Sequence, residues 1–288
     1  MKKVCPPGRE IRLETPGLTL AGLEWNPQAP VKVLALHGWM DNAASFVPLA
    51  AFLDDIHLVA LDFSGHGRSD HFPSACQPTI LDWVPEVLDA ARALEWPRFH
   101  LLSHSLGAAV GLLVAAVAHD RVERLALLDG YGPISEPAEK SPKRLISALE
   151  AEQRLRSRRN APCRSFSEAV RARKISGPDL TEEALHLLVD RGTETCGDGV
   201  QFRHDPRIAT PSRRRFTEQQ VQAFLRAVEC AVLAIRPRSG WPLPEEIVAS
   251  RLGCLRRVET VEVDGGHHVH LTHPERVAPA VLKFLTEP

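Results

Sequence analysis

Short apolar runs flanked by turn residues recur along the chain, and most of them lack any alternation of polar and apolar positions. Four lie in the first half and two near the end: Val31–Leu36, His57–Leu61, Phe99–Leu102, Leu125–Leu128, Ala231–Ile235 and Thr260–Val263. Continuous apolar strands are typical of a parallel sheet, because such a sheet is buried on both faces.

Segments with helical marks separate these predicted strands. Thr79, followed by Asp82, is typical of a capped helix start. Leu106–Ala118 is apolar on nearly all faces, which predicts a buried helix, and Pro274–Leu285 is predicted to be the last helix. Strands that alternate with helices predict right-handed crossovers and an α/β fold with helices on both faces of the sheet.

The alternation stops between about Tyr131 and about Cys230, where we find helical segments but no convincing buried strand. Helix starts are predicted near Ser141 (with Pro142 at the first helical position), Ser165, Thr181 and Thr217, where Gln220 has capping-box spacing. We therefore predict a core domain formed by residues 1–130 and 231–288, interrupted by a helical cap at residues 131–230, called the insertion below.

Composition excludes several classes of protein. The 288 residues are 44% apolar and 25% charged with a net charge of -1, which is ordinary for a globular protein and disfavours nucleic acid as a partner. No run approaches the roughly 20 apolar residues of a membrane span, and the N-terminus lacks a signal peptide. The expectation is a cytoplasmic protein with a small-molecule substrate. The basic runs of the insertion are interpreted as solvated helix faces: Arg154–Arg159, Arg171–Lys174 and Arg213–Arg215.

The six cysteines are scattered without a C-x-x-C pair. This spacing disfavours both a zinc cage and a disulfide framework. Reduced, mostly structural thiols are the simplest interpretation, and a catalytic cysteine is disfavoured.

Phe99–Gly107 reads FHLLSHSLG, in which a buried strand leads directly into S-x-S-x-G and an apolar helix. The G-x-S-x-G nucleophile elbow requires this strand–turn–helix context. Ser105 is the candidate nucleophile, and Ser103 stands where the motif has its first glycine. Such a turn would expose the Ser105 hydroxyl above the sheet, beside a helix N-terminus that stabilises negative charge.

An oxyanion hole needs a second backbone donor, which usually comes from the loop after an earlier strand. LHGWMD follows the strand VKVLAL. We assign the two donors to the amides of Trp39 and Leu106. In the loop DFSGHGRS, His66 is interpreted as a structural hydrogen-bonding residue.

The candidate base lies in DGGHHVHLTH, between the last predicted strand and the last predicted helix. His267 follows the Gly265-Gly266 turn and is the first choice, with His268 second. His270 and His273 are expected to face the core or to cap the final helix. Four histidines in one segment also raise a metal site as an alternative, but no cysteine or carboxylate cluster supports it.

A carboxylate should orient the histidine and stabilise its imidazolium form. Ile235–Trp241 contains no acid, whereas the strand LALL ends directly before Asp129. Asp129 is therefore the candidate acid, with Glu245 or Glu246 as substitutes. Asp41 and Asp62 are interpreted as turn residues.

Four motifs, LHGWMDNAASF, DFSGHGRSDH, SHSLG and GGHHVHLTHPE, occur in the order and spacing of α/β-hydrolase-fold enzymes. The chain resembles this superfamily, and most closely its cap-bearing branch of serine hydrolase-like proteins. That likeness extends to LLVDRGTETCGDGVQFRHDPRI in the insertion. The resemblance implies the α/β-hydrolase fold, a mostly parallel central sheet flanked by helices, with a helical cap.

The resemblance also places the nucleophile at Ser105, the base at His267 and the acid, after the sixth strand as in some haloalkane dehalogenases, at Asp129. A serine at position 105 disfavours dehalogenase and epoxide-hydrolase chemistry, because both need a carboxylate nucleophile.

The expected reaction is hydrolysis of a small carboxylic ester through an acyl-enzyme on Ser105, without cofactor or metal. The same residues could serve a thioester, lactone, amide or carbon–carbon bond. A non-catalytic binding protein on the same fold is the alternative of a different class. The substrate is expected between sheet and cap, near Trp39 and Phe46. The oligomeric state stays open.

Overall fold

The computed structural model describes residues 7–156 and 162–287, and its centre is an eight-stranded sheet. The strands in these residues are β1 (Arg9–Thr15), β2 (Leu18–Trp25), β3 (Val31–Leu36), β4 (Ile56–Leu61), β5 (Phe99–His104), β6 (Val122–Leu128), β7 (Thr193–Cys196), β8 (Gly199–Phe202), β9 (Ala231–Ser239) and β10 (Val258–Gly266). The α-helices are α1 (Val47–Ala50), α2 (Trp83–Ala93), α3 (Leu106–Val117), α4 (Ser141–Arg156), α5 (Phe166–Ser176), α6 (Glu182–Gly192), α7 (Glu218–Ala227), α8 (Glu245–Leu252), α9 (Val269–Thr272) and α10 (Pro274–Thr286).

The main sheet has the order β1-β2-β4-β3-β5-β6-β9-β10. β2 pairs antiparallel with β1 and with β4, and the remaining pairs are parallel. The predicted mostly parallel α/β fold is therefore confirmed. β1 and β2 are absent from the sequence-based prediction, although their alternating apolar positions around the Pro16-Gly17 turn are a hairpin signal.

Apolar side chains of each central strand enter two separate cores. In β3, Leu34 and Leu36 pack with α2, α3 and α7 on one face, whereas Val33 and Ala35 pack with α1 and α10 on the other. All four are completely buried, which explains the continuous apolar run. Because β3, β5 and β6 are parallel neighbours, their carboxyl ends lie at the same edge of the sheet, where the loops that follow them come together.

The chain between β6 and β9 contains helices α4 to α7 and, unlike the prediction, an antiparallel hairpin formed by β7 and β8. Both strands of the hairpin are short and mostly half-exposed, so they lack the continuous apolar run by which buried strands are recognised. Val221 and Leu225 of α7 pack into the same core as α3. A cap with bounds at 131–230 stays a prediction.

Several predicted helix starts occur where the local chemistry indicates. The hydroxyls of Ser165 and Thr181 accept amide hydrogen bonds at the starts of α5 and α6, and Thr217 and Gln220 form a capping box. The predicted start at Thr79 is wrong. The amide and hydroxyl of Thr79 donate to the Asp82 carboxylate in a preceding turn, and α2 begins only at Trp83.

The basic runs of the insertion are only partly solvated helix faces. Arg173 is buried in contact with Asp41, and this part of the interpretation is wrong. Arg213 pairs with Glu152, and residues 157–159 of the first run lie outside the described residues.

The described cysteines are unpaired thiols, and Cys5 lies outside the described part of the chain. Among the described helices, none is long and apolar enough to cross a membrane.

Candidate active site

Ser105 occupies a sharp turn between β5 and α3. Its backbone has φ 51° and ψ -111°, a combination that is unfavourable for a residue with a Cβ atom and persists only where surrounding contacts enforce it. The amide of Ser105 donates to the carbonyl of Leu128 at 3.1 Å, which ties the turn to the end of β6. The strain therefore lies at the residue that carries the candidate nucleophile, which is half-buried.

Gly107 allows the elbow to contact the neighbouring loop. Its amide donates to the carbonyl of His37 at 3.0 Å, and a Cβ at this position would lie 2.1 Å from the carbonyl oxygen of Leu36. Since that oxygen belongs to the backbone of β3, no side chain could be accommodated there. Ser103, where the motif has glycine, is buried without a positive φ, so a serine fits this position.

The side chains of Ser105, His267 and Asp129 form a continuous hydrogen-bonded chain. Nε2 of His267 lies 2.9 Å from Oγ of Ser105, and Nδ1 lies 2.6 Å from Oδ2 of Asp129. Because the ionised carboxylate can only accept, Nδ1 carries the hydrogen and Nε2 is left to accept from the hydroxyl. This arrangement can move a proton from Ser105 to His267.

Asp129 follows β6 directly and is almost completely buried, with φ 49°. Its amide donates to the carbonyl of Ile235 at 3.1 Å, and its Oδ2 also accepts from the amide of Trp241 at 2.7 Å. The substitutes are not at this position. Glu245 pairs with Arg236, and Glu246 is exposed on α8.

The loop after β3 is held rigidly by His37. Nδ1–H of His37 donates to the carbonyl of Gly38 at 2.7 Å, and Nε2 accepts from the amide of Phe63 at 3.1 Å. Burial lowers the pKa of His37, which keeps the ring neutral as this pair of bonds requires. The same loop carries Trp39, whose Nε1–H donates to the carbonyl of Ile208 in the insertion at 3.0 Å.

The amides proposed as oxyanion donors are available. Within the described residues, the backbone amides of Trp39 and Leu106 donate to no protein acceptor. Leu106 is the first residue of α3, where unpaired amides and the helix dipole favour negative charge. The bond between Gly107 and His37 holds the two donor-bearing segments together.

The remaining histidines have structural surroundings. His66 is buried, with Nδ1 3.3 Å from the carbonyl of Ser64. His270 is completely buried beside Phe46 and His104, and burial lowers its pKa to about 3. His273 occupies the N-cap position of α10, but its side chain makes no capping bond.

Asp41 and Asp62 are more than turn residues. Asp62 is buried and accepts from the amides of Ala43 and Arg68 and from the guanidinium of Arg191. Asp41 is buried in contact with Arg173 and His268. Sequence reasoning missed the roles of Arg173 and Arg191 because only the fold brings them to carboxylates more than 120 positions away.

Two of the cavities among the described residues border the insertion, and neither of these two includes Ser105 or His267. One of about 200 Å³ lies beside Asp41 and Arg173, and one of about 490 Å³ lies near the β7–β8 hairpin. Phe46 is completely buried in the core, so its predicted place in a substrate pocket is wrong. Trp39 and Trp241 are instead exposed by 53% and 56%, and the Trp241 ring lies 5.4 Å from that of His267.

The sequence profile described as the alpha/beta hydrolase family matches residues 33–280. This chain belongs to the alpha/beta hydrolase family. A serine hydrolase-like protein of Dictyostelium discoideum is 31% identical to this hydrolase over 299 residues, which cover 97% of this chain and 82% of that protein. Serine hydrolase-like protein 2 of Homo sapiens is 29% identical over 315 residues, covering 99% and 97%.

Among solved structures, a hypothetical protein of Pseudomonas aeruginosa PAO1 is similar to this alpha/beta hydrolase with a TM-score of 0.88 and 38% identity. The match covers 96% of this chain and 97% of that one. The predicted superfamily and its serine hydrolase-like branch are therefore confirmed.

Proposed function

We propose that this alpha/beta hydrolase cleaves a small carboxylic ester through an acyl-enzyme formed on Ser105. The observation that carries the proposal is the unbroken chain of hydrogen bonds from Asp129 through His267 to Ser105, with 2.6 and 2.9 Å between the joined atoms. Nucleophile, base and orienting carboxylate in mutual contact are what acyl transfer requires.

In the first half of the reaction, Oγ of Ser105 attacks the ester carbonyl while its proton passes to Nε2 of His267. Asp129 stabilises the resulting imidazolium through Nδ1–H. The Trp39 and Leu106 amides would hold the oxyanion, and removal of one such donor costs on the order of 3 kcal/mol in comparable enzymes. The imidazolium then protonates the departing alcohol, which leaves the acyl group on Ser105.

In the second half, His267 takes a proton from water, and the hydroxide equivalent attacks the acyl carbonyl. Collapse of the second tetrahedral intermediate returns the proton to Ser105 and releases a carboxylic acid. The residues of the chain supply every proton transfer, and this scheme uses no cofactor.

The surroundings of Ser105 favour an apolar acyl group. The half-exposed indoles of Trp39 and Trp241 belong to the two loops beside it. Indole rings offer apolar area without a charge to desolvate. The names of the serine hydrolase-like relatives state the reaction class and no substrate, so the ester is our own inference.

The test is hydrolysis of p-nitrophenyl esters of graded acyl length by the wild type and Ser105→Ala, with Ser250→Ala as matched control. Ser250 is an exposed serine of α8. We expect the wild type and Ser250→Ala to be active, and Ser105→Ala to retain no more than about 10⁻³ of the rate. Mass spectrometry after fluorophosphonate treatment should place one label on Ser105. A wild type that is neither active nor labelled would contradict the proposal and favour a binding protein.

A further inference from the structure

His268 adjoins the candidate base, and each of its two ring nitrogens faces a carboxylate of another segment, the buried Asp41 and the partly exposed Asp179. Nε2 lies 3.3 Å from Oδ2 of Asp41, and Nδ1 lies 3.4 Å from Oδ2 of Asp179. Nη2 of Arg173 donates to the other oxygen of Asp41 at 2.7 Å. Asp41 and His268 are buried, so water screens these charges little.

These contacts join three parts of the molecule. Asp41 lies two residues after Trp39 in the proposed oxyanion loop. Arg173 belongs to α5, and Asp179 lies in the loop between α5 and α6. His268 therefore links the loop of the base to the oxyanion loop and to the insertion at the same time.

The peptide that joins His267 to His268 is restrained from a second side. His104 is completely buried in β5, and its Nε2–H donates to the carbonyl of His267 at 3.0 Å. With the carbonyl held by His104 and the next side chain held by Asp41, the backbone of His267 has little freedom. The ring of His267 is thus aimed by its own backbone as well as by Asp129.

The balance of charge indicates ion pairs in this cluster. Ligand atoms of Asp41, His104 and His268 do lie within 4.8 Å of one another. However, the guanidinium of Arg173 already forms an ion pair with Asp41, and its positive charge would repel a divalent cation beside it. When His268 is an imidazolium, His268 and Arg173 together carry two positive charges. These charges balance the two negative charges of the Asp41 and Asp179 carboxylates.

We propose that His268 is a positioning residue for the hydrolysis. Through Asp41 it connects the loop of His267 to the oxyanion loop, and through Asp179 it connects that loop to the insertion. This inference rests on the proposed function. In this scheme His268 does not contact the substrate, and it acts through the placement of His267 and Trp39. Misplacement of reacting groups by about 1 Å can cost on the order of 100-fold in rate.

The protonation of His268 agrees with this geometry. The groups that face it are Asp41, Asp179, His104, His267 and His270, and Arg173 pairs with the other oxygen of Asp41. Burial opposes the charged form, but the two carboxylates outweigh it and raise the pKa of His268 to about 9. Because this pKa lies above the ordinary value of 6.5, the ion pairs of His268 are complete at neutral pH and are lost as the pH rises through about 9.

The experiment compares the full-length wild type with His268→Gln, Asp179→Asn and the control His273→Gln, a histidine of the same segment outside the cluster. kcat and KM for a p-nitrophenyl ester are measured across pH, corrected for spontaneous hydrolysis, and fluorophosphonate labelling rates are measured in parallel. We expect an alkaline decline of kcat/KM near pH 9 in the wild type and in His273→Gln. His268→Gln should show no such decline, with kcat about ten-fold lower and KM within about two-fold.

Asp179 is 36% exposed, so Asp179→Asn should fold even if His268→Gln does not. We expect it to move the alkaline decline to lower pH by about one unit, because one carboxylate partner is lost. An active wild type together with unchanged pH profiles in both variants would overturn the inference alone. Activity that is lost with EDTA and restored by Zn²⁺ would also overturn it, in favour of a metal site. A wild type that neither hydrolyses nor labels would overturn the proposed function, and this inference with it.

Discussion

Gly240 lies against the carboxylate of Asp129 so closely that a Cβ atom at position 240 would be 2.5 Å from Oδ1 and 2.6 Å from Oδ2. The amide of the next residue, Trp241, donates to Oδ2. The turn after β9, which carries no acid of its own, therefore shapes and hydrogen-bonds the acid that follows β6. This relationship allows the orientation of Asp129 to be disturbed without changing any proposed catalytic group.

Gly240→Ala should lower kcat by about 10- to 100-fold, because the new methyl group must displace the Asp129 carboxylate from Nδ1 of His267. The matched control is Gly253→Ala at the end of α8, where a Cβ atom would meet backbone carbonyl oxygens of α8 and no residue of the site. Steady-state kinetics with a p-nitrophenyl ester check the prediction. Equal kcat values for the two variants would show that Asp129 tolerates the displacement.

Asp129→Asn should lower kcat by about 10⁴-fold, since an amide cannot hold Nδ1–H as the hydrogen donor of His267. Asparagine tolerates the positive φ of this position, so the fold should be retained. The measurement is kcat at saturating ester, together with the thermal unfolding midpoint of both proteins. Retention of a tenth of the wild-type kcat would argue that another group orients the base.

Ser103→Ala should raise the free energy of unfolding by about 1 kcal/mol. The Ser103 hydroxyl is completely buried and has no hydrogen-bond partner among the described residues, and a buried polar group without a partner costs about this much. Chemical denaturation of the two proteins measures the difference. A loss of stability instead would indicate that the hydroxyl binds a buried water.

Glu86 should make the protein less stable as the pH rises from about 4.5 to about 7. Burial in α2 raises the pKa of this carboxyl to about 7, although the amide and hydroxyl of Ser64 donate to it and oppose the change. The folded state therefore keeps a proton that the unfolded state loses near pH 4.5, which destabilises the fold by about 3 kcal/mol above pH 7.

Glu86→Gln removes this ionisation and should flatten the dependence. The free energy of unfolding of both proteins is measured between about pH 5 and 8. Parallel curves for the two proteins would mean that Glu86 ionises freely in the folded state.

Much of the fold was predictable because it depends on neighbouring residues. The apolar runs of β3 to β6, the buried helix α3 and the caps at Ser165 and Thr181 each follow from local periodicity or turn chemistry. The β1–β2 and β7–β8 hairpins were missed, the latter because its strands are mostly half-exposed and lack a continuous apolar run.

The sequence by itself determined the buried strands β3 to β6, the strand–turn–helix context of Ser105 and the segment that contains His267, since each is encoded within about ten consecutive residues. It left Asp129, Glu245 and Glu246 open. Only the tertiary structure decided that the side chain in contact with His267 is Asp129, 138 positions away.

The tertiary structure also decided which charged side chains of the insertion are buried in ion pairs. Arg173 belongs to a run that local composition favours as solvated, yet it reaches Asp41 across 132 positions. The same holds for His268, whose partners come from two distant loops. Such pairs depend on burial and on distances across the folded chain, and neither quantity is encoded in the spacing of residues along the sequence.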